Sequence, residues 1–152
     1  MRVAPYRFLT TWIFDAPIEE VWERLDDPMG WPRWWRGVES TEIVGDDHWR
    51  STWRSFLPYS LTFDFAVDYR ERPNVLGGRA TGELAGTGVW RLFEARGLTA
   101  STWDWRVGTT APWMNVLRPV ARPAFAWNHG WIMRRGGEGL ARDLRCSLVA
   151  AS

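Results

Sequence analysis

The chain has 152 residues, a mass of 17.7 kDa and a formal net charge of +1, since 19 basic residues nearly balance 18 acidic ones. A chain of this length buries about 70% of its unfolded surface, so residues 1–152 are expected to form a single domain. One cysteine, Cys146, and two histidines exclude an internal disulfide framework and a Cys/His zinc cluster. No basic stripe is present, so we expect no nucleic-acid binding.

Arginine and tryptophan are used in an unusual way. Every basic residue is an arginine, which is typical of a GC-rich genome and leads us to expect a bacterial source. The absence of lysine excludes Schiff-base chemistry. Thirteen tryptophans bring large apolar surfaces, and each carries an N–H that needs a partner when buried. A cavity lined by aromatic rings accounts for so many indoles better than a filled core does.

The amino-terminal residues mix apolar and polar side chains and lack the hydrophobic region of a signal peptide. No stretch approaches the ~20 apolar residues of a membrane span. We therefore expect a cytoplasmic protein without a membrane span. For its oligomeric state, a homodimer is an open alternative.

The first elements in chain order are a strand and two short helices. Residues 6–14 alternate with period two, which predicts a half-buried strand. Asp15 followed by Ala16-Pro17 predicts an N-cap and the first turn of a helix. Residues 30–37, rich in tryptophan, glycine and proline, predict a short helix or a tight loop.

Alternation and turn residues then predict a series of strands at 38–44, 48–57, 60–71, 79–84, 89–95 and 99–107. The strand at 60–71 alternates most cleanly, with Phe63 and Phe65 on one parity and Asp64 and Asp68 on the other. The polar parity indicates a solvated outer face with ion pairs rather than two catalytic carboxylates sharing a site. Short strands joined by turns indicate an antiparallel meander.

Beyond Pro112 the period of the pattern becomes helical. From Pro119 onward the sequence predicts a long helix, in which Gly136-Gly137 is a candidate position for a kink and Asn128 lies near the middle of the apolar stripe. A single sheet of about seven strands must cover one of its faces, and this helix is the only predicted element long enough to do so.

Several strings, taken in order, resemble a known superfamily. They are DAPIEEVW at 15–22, WPRWW at 31–35, GTGVW at 86–90, WDWRV at 103–107 and GLARDL at 139–144. Their order and spacing resemble those of the START-like, or SRPBCC, superfamily, and within it the polyketide cyclase/dehydrase-like branch. The resemblance implies an α+β helix-grip (START-like, Bet v 1-like) fold, in which a curved antiparallel sheet wraps around a long C-terminal helix and an apolar cavity. Members bind lipids, sterols, hormones, aromatic polyketides or quinones, and some are cyclases.

Candidate ligand-binding residues come from the tryptophan-rich turn, the apolar parity of the strands and the stripe of the long helix. They are Trp34, Trp35, Trp53, Phe63, Phe65, Trp90, Trp103, Trp105, Phe125, Asn128, Trp131 and Ile132. An interior filled completely by these rings is the open alternative.

Asn128 and His129 are the polar candidates within the long helix. A buried Asn128 needs a hydrogen-bond partner, which is either a ligand carbonyl or hydroxyl or a group of the protein itself. His129 lies roughly 100° further around the helix, and we interpret it as a half-exposed flanking residue. It is the one weak candidate for a general base. His48 is interpreted as a solvated turn residue.

We predict that the chain binds a small hydrophobic ligand, of lipid, polyketide, aromatic or isoprenoid type, without a cofactor or metal. A polyketide cyclase, aromatase or dehydratase using the same cavity is the alternative, although the sequence holds no clear acid–base pair. A protein-interaction or co-chaperone module is the second alternative. It would need a large exposed apolar patch, which the clean alternation of the strands disfavours.

Overall fold

A computed structural model describes residues 6–54, 60–110, 112, 116 and 118–152. Within these residues an antiparallel sheet of eight strands has the order β2-β3-β4-β5-β6-β7-β1-β8. The strands are β1 (Tyr6–Phe14), β2 (Val38–Gly45), β3 (His48–Arg54), β4 (Ser60–Glu71), β5 (Val75–Gly82), β6 (Leu84–Ala95), β7 (Leu98–Thr109) and β8 (Leu148–Ala151). The predicted α+β class and the antiparallel sheet are confirmed, with eight strands in place of about seven.

Helical segments follow β1 and β7. They are α1 (Ile18–Leu25), a 3-10 turn (Pro28–Gly30), α2 (Trp31–Trp34) and the long α3 (Arg118–Leu144). The described helices include none with the length and hydrophobicity to cross a bilayer. Side chains of α3 and of the inward parity of the strands share one core, so the sheet curves around this helix.

The first helix begins differently from the prediction. Pro17, not Asp15, occupies the N-cap position of α1, and no side chain of the cap residue bonds the helix. Glu94 of β6 supplies the acceptor instead, because its Oε2 atom takes a hydrogen bond of 2.6 Å from the backbone N–H of Ile18. A carboxylate at a helix N-terminus also interacts favourably with the helix dipole. A partner 76 residues away leaves no local sequence signal.

Strands β5 and β6 both begin earlier than predicted, at Val75 and Leu84. The glycines that suggested turns lie inside these strands, where the missing Cβ makes room for a neighbour. A Cβ on Gly78 would collide with the backbone of Ala66, and one on Gly88 would collide with the ring of Trp103. The glycines therefore mark close approaches within the sheet.

Two other strand predictions also change. Residues 55–57 of the predicted strand 48–57 lie outside the described residues. The short β8, absent from the sequence prediction, pairs antiparallel with the edge of β1. Backbone hydrogen bonds of 2.8 and 3.0 Å between Thr11 and Ser152 extend that pairing.

The long helix extends from Arg118 to Leu144 without interruption at Gly136-Gly137. The glycines let the helix approach the tryptophans: a Cβ on Gly136 would collide with the Trp35 ring, and one on Gly139 with the Trp34 carbonyl oxygen. Here the absence of a side chain permits close packing.

An ion-pair cluster joins the three helices at this end of the molecule. Asp143 of α3 accepts hydrogen bonds from Arg24 of α1 at 2.7 Å and from Arg33 of α2 at 3.3 Å. Burial of the carboxyl opposes ionisation, yet the two guanidiniums outweigh it, so the pKa of Asp143 lies below its usual value. The tryptophan-rich α2 is thereby held against the C-terminal half of α3.

The outer face of the sheet carries ion pairs, as predicted. Asp64 pairs with Arg50 at 2.7 Å and Asp68 with Arg79 at 3.2 Å. The Arg50 guanidinium lowers the pKa of Asp64. His48 lies beside the same carboxylate, with its Nε2 atom 3.3 Å from Asp64. None of these groups lines the cavity described below.

Candidate ligand-binding cavity

A cavity of about 90 Å³ lies between the sheet and α3. Strands β3 to β7 contribute its wall on one side, α3 closes the other side, and Trp31 and Trp35 reach it from the segment after α1. Of the described residues that line it, all but Asn128 and His129 are apolar or aromatic. Such a wall suits a ligand that is mostly hydrocarbon or aromatic.

Closely packed indoles surround the cavity. Trp90 and Trp103 face each other across β6 and β7 with ring centroids 4.8 Å apart, and Trp103 stacks on Trp105 at 5.2 Å. Trp35 meets Trp53 edge-on at 4.9 Å. Ligand pockets usually measure roughly 300–1,000 Å³, so this cavity is small for a ligand site. The interior is therefore neither a wide pocket nor completely filled, because a small cavity remains between closely packed rings.

Ten of the twelve predicted ligand-binding residues line the cavity. They are Trp35, Trp53, Phe63, Phe65, Trp90, Trp103, Trp105, Phe125, Asn128 and Ile132. Trp34 and Trp131 are not among the lining residues. Trp34 stacks on Trp35 at 5.3 Å, while Trp131 is half-buried with the Arg135 guanidinium over its ring.

Six further lining residues were absent from the prediction: Trp31, Trp49, Leu61, Leu76, Leu84 and Met133. Three of them had a usable signal. Trp31 lies four residues before Trp35 and so shares its helix face. Trp49 has the same strand parity as Trp53, and Leu61 has the same parity as Phe63. Leu76 and Leu84 fall at positions assigned to a turn or a strand end, so their inward direction could not be read from parity.

Asn128 is the more buried of the two polar residues in this wall. Its side chain is 4% exposed, and its Oδ1 atom has no hydrogen-bond partner among the described residues. A buried amide oxygen without a partner costs roughly 1–3 kcal/mol of stability. The structure therefore leaves one strong acceptor unsatisfied on an apolar surface.

His129 also lines the cavity, and the interpretation as a flanking residue is wrong for its Nε2 atom. That atom is buried without a partner among the described residues, and the imidazole stacks on the ring of Phe8 with centroids 4.0 Å apart. Burial lowers the pKa of His129 to about 4. The imidazole is therefore neutral at pH 7 and presents a polar but uncharged edge.

The indole N–H groups divide into satisfied and unsatisfied donors. Trp35 donates to the Ile132 carbonyl at 3.0 Å and Trp31 to the Arg24 carbonyl at 3.2 Å. Trp53 lines the cavity with a buried Nε1 atom that has no partner in the part of the chain that the structure describes. The same is true of Trp12, Trp22 and Trp34, which do not line it, so an unpaired indole does not by itself mark a ligand site. Asn128 and His129 distinguish the cavity better, because both are polar, line it and carry a buried atom without a partner among the described residues.

A curved antiparallel sheet around a C-terminal helix, with an apolar cavity between them, defines a START-like helix-grip protein. A family model described as "Polyketide cyclase / dehydrase and lipid transport" matches residues 7–145. The chain belongs to this family. No curated protein matches the chain.

Solved structures with low sequence identity share the fold. A START superfamily protein from Mycobacterium smegmatis aligns with a TM-score of 0.74 at 14% identity, covering 91% of this chain and 97% of that one. A protein from Thermus thermophilus gives 0.70 at 18% identity, with 92% and 99% covered. The Zhui aromatase/cyclase from a Streptomyces species gives 0.66 at 17% identity, with 92% and 96% covered. At these identities the likeness concerns the fold.

Proposed function

We propose that the chain binds a small, mostly apolar ligand carrying a hydroxyl group in the cavity between the sheet and α3. The unpartnered Oδ1 atom of Asn128, buried within an apolar wall, is the observation that carries this proposal. The description of the family, which includes lipid transport, supports an apolar ligand.

The chemistry of the ligand follows from the apolar character of the wall and from its one unsatisfied acceptor, the Oδ1 atom of Asn128. Apolar contact contributes roughly 25 cal/mol for each Å² removed from water and so provides most of the affinity. A ligand hydroxyl can donate to Asn128 and can accept from the Trp53 N–H, whereas a carbonyl can only accept. A hydroxyl therefore satisfies the buried acceptor that the protein leaves open.

Ligand size follows from the cavity volume. About 90 Å³ is less than the roughly 150 Å³ of a cavity that holds benzene, so a ligand with one or two rings enters only if indoles of the wall move. Trp31 and Trp35 belong to a short segment rather than to the sheet, so movement near residues 31–35 is the route we propose for entry.

Catalysis by a cyclase or aromatase in the same cavity is the weaker proposal. His129 is the one titratable residue among the described residues of the lining. A general base works best with a pKa near the operating pH, and burial holds the pKa of His129 at about 4. Binding therefore accounts for the site better than proton transfer does.

The proposal is tested with a pair of probes that differ by one hydroxyl, 1-naphthol and naphthalene, titrated by calorimetry. We expect 1-naphthol to bind about tenfold more tightly, since one hydrogen bond to a buried group contributes about 1–1.5 kcal/mol. Asn128→Leu should remove this preference while leaving naphthalene binding intact. Met133→Leu, a change on the same wall without a polar group, should preserve it. Equal affinity of the wild type for both probes, or binding of neither, would reject the proposal.

A further inference from the structure

Four of the tryptophans that line the cavity meet at steep angles. The Trp31 ring lies at 87° to Trp49, with ring centroids 5.8 Å apart, and at 62° to Trp53, with centroids 6.2 Å apart. Trp35 lies at 86° to Trp53. All four indoles are lining residues. The wall on this side of the cavity is therefore built from aromatic planes in crossed orientations.

Two of these planes are supported by phenylalanines of the neighbouring strand. Phe65 lies directly opposite Trp49 in the pairing of β3 with β4, and the two rings stack at 30° with centroids 5.2 Å apart. Phe63 is nearly parallel to Trp53, at 16° and 6.4 Å. Both phenylalanines also line the cavity. Stacking of this kind fixes the directions in which the ring planes of β3 run.

The lining carries no charge that would repel a cation. The chain has 19 basic residues, all arginines, yet none is among the described residues of the lining. His129 is neutral at pH 7, because burial lowers its pKa to about 4. The unpartnered Oδ1 atom of Asn128 presents a partial negative charge. A carboxylate or a phosphate in the same place would find no cationic partner among these residues.

We propose that the ligand of this cavity is a small quaternary ammonium alcohol, of which choline is the simplest example. This inference rests on the proposed function and names the class of its ligand. Ring faces attract a quaternary ammonium group through their quadrupole, and the methyl groups suit an apolar wall. The alcohol donates a hydrogen bond to the Oδ1 atom of Asn128. A trimethylammonium group has about the bulk of benzene, so it too enters only as indoles of the wall move.

A free alcohol fits the lining better than a phosphate ester of the same alcohol does. A buried phosphate needs a positive partner or several donors, since burying an unpaired charge is costly. Among the described residues the lining offers it neither an arginine nor a protonated histidine. The head group of a phospholipid carries such a phosphate beside its ammonium group, so the proposal concerns a water-soluble ligand.

Calorimetric titration of the full chain with two probes of one shape tests the proposal. Choline and 3,3-dimethylbutan-1-ol both carry the hydroxyl, and they differ only in having a charged nitrogen or a neutral carbon at the branch point. We expect choline to bind about tenfold more tightly, because only the cation is attracted by the ring faces. Phosphocholine should bind more weakly than choline, since its phosphate has no partner.

Substitutions at Trp49 separate the ring from its bulk. Trp49→Leu keeps an apolar side chain but removes one ring face, and it should reduce the preference for choline about fivefold. Trp49→Phe should retain part of that preference, because the phenyl ring attracts cations more weakly than indole does. Leu76→Met, on the same lining, is the matched control and should leave the preference unchanged. Near-ultraviolet circular dichroism shows which variants are folded, and the two probes on the wild type decide the matter without them.

The outcomes distinguish this proposal from the proposed function on which it rests. If 3,3-dimethylbutan-1-ol binds as tightly as choline or more tightly, the ammonium is not recognised, although an apolar alcohol still binds. Binding of neither probe also overturns the quaternary ammonium class, and the titration with 1-naphthol then decides the proposed function by itself. Phosphocholine that binds as tightly as choline would overturn the restriction to a free alcohol. A preference for choline that is unchanged in a folded Trp49→Leu variant would overturn the role of the crossed rings.

Discussion

At the scale of single residues, Asn128 makes the ligand-free folded protein less stable than an apolar residue of similar size would make it. Its Oδ1 atom is buried and unpartnered in an apolar wall. We expect Asn128→Leu to raise the free energy of unfolding of the ligand-free protein by about 1–2 kcal/mol, because the desolvation cost of the amide disappears. Urea unfolding measures this change, and Met133→Leu should be nearly neutral. A destabilised Asn128→Leu would mean that the amide already has a satisfying partner.

His129 should make stability depend on pH. Its pKa is lowered by burial to about 4, from the usual 6.5 of an imidazole. Between these values the unfolded chain binds more protons than the folded one, so stability falls as pH decreases from about 6.5 towards 4. The full loss is about 3 kcal/mol, because a tenfold difference in proton affinity corresponds to about 1.4 kcal/mol.

Urea unfolding at pH 7 and pH 5 measures that dependence. His129→Leu should remove the pH dependence of stability that is due to His129. His48→Gln, which alters the exposed histidine beside Asp64, should leave that pH dependence in place. A wild type as stable at pH 5 as at pH 7 would show that the His129 imidazole is solvated.

At the scale of elements, the glycines of α3 provide a test of close packing. A Cβ on Gly136 or Gly139 would meet Trp35 or the Trp34 carbonyl, whereas a Cβ on Gly130 has nothing within 4 Å. We expect Gly139→Ala to destabilise the protein by about 1–3 kcal/mol through overpacking. Gly130→Ala should stabilise it by about 0.5–1 kcal/mol, the usual gain at an exposed helical glycine. Chemical unfolding of both variants compares the effects, and equal changes would contradict the close approach.

Those glycines also show what a sequence can predict about an element. Periodicity predicted β1, β4 and the position of α3 because hydrophobic spacing is a local property. The role of a glycine is not local: Gly78 and Gly88 were assigned to turns and Gly136 was a candidate position for a kink, yet each makes room for a residue distant in the chain. A single sequence does not show which distant residue packs into the space left by the missing Cβ of each glycine.

At the scale of the whole molecule, the family and fold could be predicted, and so could most of the lining. Residues on the inward parity of a curved sheet point at the covering helix, so alternation together with the resemblance to a helix-grip sheet predicted Trp53, Phe63 and Trp105. The size of the cavity could not be predicted. It depends on the angles at which rings such as Trp90 and Trp103 pack, and those angles come from the assembled core.

Cavity size in turn gives a prediction about capacity and stability. Leu84 lines the cavity, whereas Leu140 is fully buried among the core residues and does not line it. Leu→Ala at a buried site costs about 2–5 kcal/mol. We expect Leu84→Ala to cost less than Leu140→Ala, because a side chain that borders a void has fewer contacts to lose.

The two variants should differ in ligand binding as well. Leu84→Ala adds its vacated volume to the existing cavity and should increase the affinity for 1-naphthol, which needs more room than about 90 Å³ easily provides. Leu140→Ala opens a separate void and should leave that affinity unchanged. Chemical unfolding and calorimetric titration of both variants measure the two effects. If the affinity rises equally in both, then looseness of the whole core, rather than the volume beside Asn128, limits what the protein can bind.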